Sequence, residues 1–132
     1  MHQKAILQWA TAYIAQANLS AAERSKAMRE LKRYCSGFRL CHMDLPLPGT
    51  AFQRLVWRAL TRVPFGKTVT YGELARRIGH PRAARAVGTA LNKNPFPILF
   101  PCHRIVPSAG GIGRYAGGAA RKRWLLRHER AP

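Results

Sequence analysis

Apolar residues recur at helical spacing from Ala5 to Asn18, where Ile6, Trp9, Tyr13 and Ile14 share one side. Ser20 and Glu23 then form a capping box for a second helix, which carries Met28, Leu31, Tyr34 and Cys35 on one side and stops near Gly37. Together they predict a helical hairpin. Pro46, Pro48 and Gly49 in MDLPLPGT predict an extended connector. The main boundary falls there, with a reduced helical segment over residues 1–44 and a larger unit over residues 45–132.

Thr50 and Gln53 repeat the capping logic ahead of a wide apolar stripe, Phe52, Leu55, Val56, Ala59, Leu60 and Val63, ended by Pro64 and Gly66. KTVT predicts a short strand or turn. In YGELARRIGHPRAARAVGTALNKN, Leu74, Ala75 and Ile78 give one short helix a core face, and Ala83, Ala84, Val87 and Leu91 give a second one. Two helices about a short glycine-containing turn make the helix-turn-helix pattern, whose second helix is presented to DNA. NPFPILFPCHRIVP is too rich in proline for a regular helix. SAGGIGRYAGG is a glycine loop without the lysine-containing ending of a phosphate loop, and AARKRWLLRHE predicts a basic terminal helix. The expected fold is mainly α with a minor β component: a helix-turn-helix, winged-helix-like unit behind a short helical segment.

Charge narrows the function. Over 132 residues, 23 lysines and arginines face 5 acidic residues, for a net charge of +18. From Ala51 onward 16 basic residues stand against Glu73 and Glu129 alone, leaving +14 there and +4 for residues 1–50. Such an excess predicts a polyanionic partner, bound mainly by the C-terminal part. No apolar run approaches the roughly 20 residues that span a bilayer, and the start carries no signal-peptide pattern. A soluble intracellular protein, associated with DNA and not with a membrane, is expected. Cys35, Cys41 and Cys102 form neither a CxxC pair nor a disulfide framework. His2, His42, His80 and His128 do not make a metal pattern, so no metal and no cofactor is expected.

Chemistry centres on Cys102, followed by His103 and Arg104 in a basic segment, with Glu129 later in the chain to orient an imidazole. A thiol becomes a strong nucleophile as the thiolate, which nearby positive charge or a base favours. Adjacent side chains seldom point the same way, so His103 would reach the sulfur through a water. On this chemistry alone two readings stand: a reactive nucleophile, or a small buried hydrophobe.

PCHRIV, the upstream NPFPILF, the downstream GRYAGG and WLLRHE, together with TYGELA and RAARAVG, resemble the O6-alkylguanine-DNA alkyltransferases, also called methylated-DNA–protein-cysteine methyltransferases. The resemblance runs in order from Leu45 to Glu129. It implies that Cys102 accepts an alkyl group from O6 of a damaged guanine in one irreversible transfer, with O4-alkylthymine a second possible substrate. It also implies that His103 draws the thiol proton through a water, that Glu129 holds His103, and that Asn94 stabilises the turn ahead of the cysteine. Arg85 would enter the duplex as the damaged nucleotide leaves, on a helix whose small residues, Ala84 and Gly88 among them, let it approach the minor groove. Tyr71 would help rotate the nucleotide outward and donate to the base. Tyr115 would line a pocket completed by Tyr71, Ile105, Pro97 and Gly117. The implied partner is double-stranded DNA bound with little sequence preference, by a monomer.

The resemblance stops at the front of the chain. Family members usually carry a larger N-terminal domain, often with a β-sheet, where residues 1–44 here read as helices. Bracing of the catalytic unit and association with another molecule are both open for that segment. Two other functions compete: a non-catalytic lesion sensor, whose relatives lack the cysteine that this chain carries as Cys102, and a cysteine hydrolase, which would leave the charge unexplained.

Overall fold

Among residues 2–130, those described by the computed structural model, six α-helices surround one short parallel pair of strands. Helices α1 (Gln3–Gln16) and α2 (Ala21–Cys35) form the N-terminal hairpin. The Ser20 hydroxyl accepts from the Glu23 N–H at 3.1 Å while the Glu23 carboxylate accepts from the Ser20 N–H at 2.8 Å, so the turn is satisfied from both sides. Arg24 ties the hairpin together by donating to the carbonyls of Ile14, Ala15, Ala17 and Leu19. Thr50 and Gln53 build the same reciprocal cap on α3 (Ala51–Leu60).

Strand β1 (Val69–Thr70) leads directly into α4 (Tyr71–Arg77), and Thr70 caps that helix by accepting from the Glu73 N–H at 3.1 Å. After a turn comes α5 (Ala84–Asn92), completing the helix-turn-helix. A single 3-10 turn (Cys102–Arg104) then runs into strand β2 (Ile105–Val106), and α6 (Ala119–His128) closes the order. The strands pair in parallel, Val69 with Ile105 and Thr70 with Val106. This register matters for the site: one strand delivers Tyr71 and the other leaves Arg104, so the start of α4 is pinned beside the cysteine turn.

The core is continuous. Ile6 and Ile14 of α1, Leu31 of α2, Leu60 of α3, Leu74 of α4 and Leu125 of α6 belong to one buried cluster. Trp57 of α3 donates its indole N–H to the Ala90 carbonyl of α5 at 2.8 Å, so the helix-turn-helix rests on α3 through a satisfied buried polar contact. Leu55, expected on the apolar stripe of α3, is instead 40% exposed, because it sits on the flank of the helix away from Val56 and Leu60. Among the described residues no helix is long and apolar enough to cross a membrane.

Candidate active site

The segment before Cys102 is folded by one asparagine. Asn94, itself buried, donates from Nδ2 to the Phe100 carbonyl at 2.7 Å and accepts at Oδ1 from the Phe96 N–H at 3.0 Å. Between those anchors Ile98 adopts a φ of 74°, a costly conformation for a β-branched residue that persists only when its surroundings impose it. Pro97 and Phe100 form an isolated bridge across the same turn. Packing of Phe96, Ile98 and Phe100 into the core holds the loop and delivers Cys102 to the base of a cleft.

That cleft has a volume of about 390 Å³ and is bounded by Cys102, Tyr71, Tyr115, Arg85 and Gly88, with Pro107 and Gly113 on the loop side. It thus gathers the expected nucleophile, both expected tyrosines and the expected arginine. Arg85 stands exposed on α5 at the rim, and half-buried Gly88 faces the Tyr71 ring. Ala84 does not reach the cleft but starts the same helix. Three residues expected in the pocket do not themselves bound the cleft. Pro97 is in the buried turn, Ile105 is fully buried in β2, and Gly117 is wedged where an added Cβ would lie 2.6 Å from Trp9 and 2.9 Å from Tyr115. Pro97 is taken up by its bridge to Phe100 and Ile105 by its pairing with Val69, whereas Gly117 makes room for Trp9 and Tyr115.

Behind Cys102 lies a buried polar cluster. His103 is fully buried, and its Nε2 lies 2.6 Å from Glu129 Oε2. The same carboxylate accepts from Arg104 Nε at 2.9 Å, from Arg104 Nη2 at 3.0 Å, from the Tyr34 hydroxyl at 2.7 Å and from the Gly66 N–H at 3.2 Å. Burial alone would raise the Glu129 pKa, but His103 and Arg104 hold it below the ordinary carboxylate range. Burial pushes the His103 imidazole down against the pull of Glu129. An anionic Glu129 facing a neutral His103 fixes the proton on Nε2, leaving Nδ1 as the free base. That Nδ1 is buried without a hydrogen-bond partner.

Cys102 is 5% exposed. Burial raises its thiol pKa, while Asn94, Tyr115 and the Lys122 ammonium oppose the rise. The Tyr115 hydroxyl has no hydrogen-bond partner of its own and would gain one in a thiolate. At rest the sulfur is therefore a protonated thiol in surroundings prepared for its anion.

Two members of this constellation escape sequence reasoning. Lys122 is fully buried, its pKa brought to about 8 by burial against the opposing effect of Cys102, and it donates from Nζ to the carbonyls of Ile105 at 2.6 Å and Arg114 at 3.3 Å. In a helix this basic it reads as one more solvated charge. Its spacing of three and seven from Leu125 and Glu129 places it on their inward face. Tyr34 reads as a core aromatic of α2, and nothing local signals its contact with a residue 95 positions away.

Residues 51–131 match the family described as 6-O-methylguanine DNA methyltransferase, DNA binding domain. The chain is similar to the methylated-DNA–protein-cysteine methyltransferase of Methanosarcina acetivorans, 46% identical over 106 residues that cover 79% of this chain and 67% of that one. It is also similar to that of Shigella flexneri, at 44% over 113 residues covering 84% and 66%. The crystal structure of Mycobacterium tuberculosis OGT in complex with DNA superposes with a TM-score of 0.73 at 47% identity, covering 83% of this chain and 68% of that chain. The chain thus spans about two thirds of the length of these relatives.

Proposed function

The chain belongs to the 6-O-methylguanine DNA methyltransferase family, and from that premise we propose that it repairs DNA by direct reversal, moving the alkyl group of O6-alkylguanine onto Cys102. The observation that carries the reading is the unpartnered Nδ1 of a His103 whose other nitrogen is engaged by Glu129. Such an atom, on the residue next to Cys102 and with its ring partner fixed, is a base placed to accept a proton.

The transfer balances without a redox partner. The thiol proton passes through a water to His103 Nδ1, the sulfur attacks the alkyl carbon in line, the S–C bond forms as the C–O6 bond breaks, and a proton returns to the departing guanine. Lys122 and the Tyr115 hydroxyl favour the thiolate, and a hydroxyl from Tyr71 at the cleft wall suits donation to the base. The product thioether is stable, so each molecule acts once.

A guanine inside a duplex cannot reach a sulfur at the bottom of a cleft, so the nucleotide must leave the stack, which costs a few kcal/mol. Arg85, exposed at the rim, is placed to fill the gap. On α5 the outward residues next to it, Ala86 and Thr89, are small, which suits close approach to the minor groove by a monomer. Affinity then comes mainly from phosphates and falls steeply with salt.

Intact-protein mass spectrometry after incubation with an O6-methylguanine oligonucleotide, followed by peptide mapping, tests the reading. The expected result is a gain of one methyl group, about 14 Da, on Cys102, with none in Cys102→Ser, which still binds the DNA. Lesion-selective binding without any mass change would replace the transferase with a non-catalytic sensor.

A further inference from the structure

We propose that Tyr34 of α2 is a positioning residue for the proton relay behind Cys102: its hydroxyl, donated to Glu129 Oε2, fixes the carboxylate that orients His103. The inference rests on Cys102 as the acceptor thiol, and it gives a role to a segment that lies before the matched residues 51–131.

Geometry carries it. Tyr34 is fully buried, and its hydroxyl shares Oε2 with His103 Nε2 and Arg104 Nη2. Its ring meets the His103 ring edge-on at 6.4 Å and the Phe65 ring at 6.3 Å, while its carbonyl lies 2.6 Å from His128 Nε2. The side chain is thus held along its whole length. Packing alone would be served by phenylalanine, since a buried hydroxyl is costly unless it is paired. Here it is paired with the one carboxylate that the relay uses. Burial and the Glu129 charge keep the phenol protonated and therefore a donor.

The hairpin reaches the site a second time. Trp9 of α1 lies against the Tyr115 ring, centroids 5.9 Å apart, across Gly117. One helix of the hairpin therefore steadies the cleft wall while the other steadies the relay.

The direction of the effect follows from the shared oxygen. Without the Tyr34 hydroxyl, Oε2 becomes a stronger acceptor for His103, whose imidazole then takes a proton at higher pH. Around Glu129 and its hydroxyl donor the other titratable or charged groups are Cys35 from α2, His103 and Arg104 from the cysteine turn, and Lys122 and His128 from α6. All of them remain in Tyr34→Phe.

The test follows carbamidomethylation of Cys102 by iodoacetamide against pH, read on the Cys102 peptide, beside single-turnover methyl transfer from an O6-methylguanine oligonucleotide. In Tyr34→Phe the low-pH limb of Cys102 alkylation should move up by about half a pH unit or more, the worth of one hydrogen bond. Methyl transfer should slow about tenfold through lost orientation. Site-specific 3-fluorotyrosine at position 34, a stronger donor, should move the limb the other way, and it serves equally should the phenylalanine variant fold poorly. Limbs that coincide with wild type in a folded variant would overturn the assignment, whatever happens to its melting temperature. A shifted limb in a protein that transfers no methyl group would uphold Tyr34 and overturn the transferase reading instead.

Discussion

The outward face of α5 and the polar cluster behind Cys102 are built on opposite principles. On α5, Arg85, Ala86 and Thr89 are exposed and make few contacts within the chain. Behind the sulfur, His103, Arg104, Lys122 and Glu129 are buried and engaged with one another or with backbone. A face left open to solvent makes few contacts within the chain, so its residues carry little of the fold. A polar cluster enclosed in protein must pair its groups internally, with His103 Nδ1 the exception here, so its residues carry much of the stability.

The largest difference should come from Glu129→Ala. It strands Arg104 without its ion pair and leaves Tyr34 and His103 without an acceptor, and breaking a buried pair in this way costs about 3–5 kcal/mol. Urea denaturation measures it; a loss no greater than that of an exposed substitution would remove the contrast. Acid should act on the same cluster. His103 titrates below its ordinary 6.5 and Glu129 below its ordinary 4.5 in the folded chain, so the unfolded chain binds more protons as pH falls. Stability should drop first as pH falls below 6.5 and again below 4.5; a stability profile that stays flat through the first of these speaks against a buried neutral His103. The smallest effect on stability belongs to Arg85→Ala, expected within about 0.5 kcal/mol of wild type. Its mark should be kinetic: repair in duplex DNA slowed on the order of tenfold or more, with reaction toward free O6-benzylguanine preserved, because only the duplex requires extrusion. Equal slowing on both substrates would take Arg85 out of the groove.

The same contrast governs what could be read from the chain. Helices α1 to α3 are legible because capping residues and apolar stripes are local signals, as Ser20 with Glu23 and Thr50 with Gln53 show. Of the two strands only β1, inside KTVT, was legible; its pairing was not, since two-residue strands have no period and Val69 meets Ile105 only through tertiary structure. At the site, Cys102, His103 and Glu129 could be named from ordered motifs, but their contact spans 26 residues and needed the fold to become visible. Lys122 and Tyr34 were hidden by composition: one looked like solvated charge, the other like ordinary core. Pro97, Ile105 and Gly117 do not bound the cleft, because proximity along the chain to a pocket residue does not say where a side chain packs.

The burial of Cys102 also sets the shelf life of the protein. Oxidants attack the thiolate form, and attack it where they can reach it. Cys102 is 5% exposed and held as a thiol, whereas Cys41 is exposed on the surface. As a preparation ages, its total free-thiol count should therefore decline through Cys41 well before the titre of usable acceptor does. For a reagent spent by a single event, the stock that matters is the number of unspent copies, and the recessed position of the sulfur should protect that number between lesions.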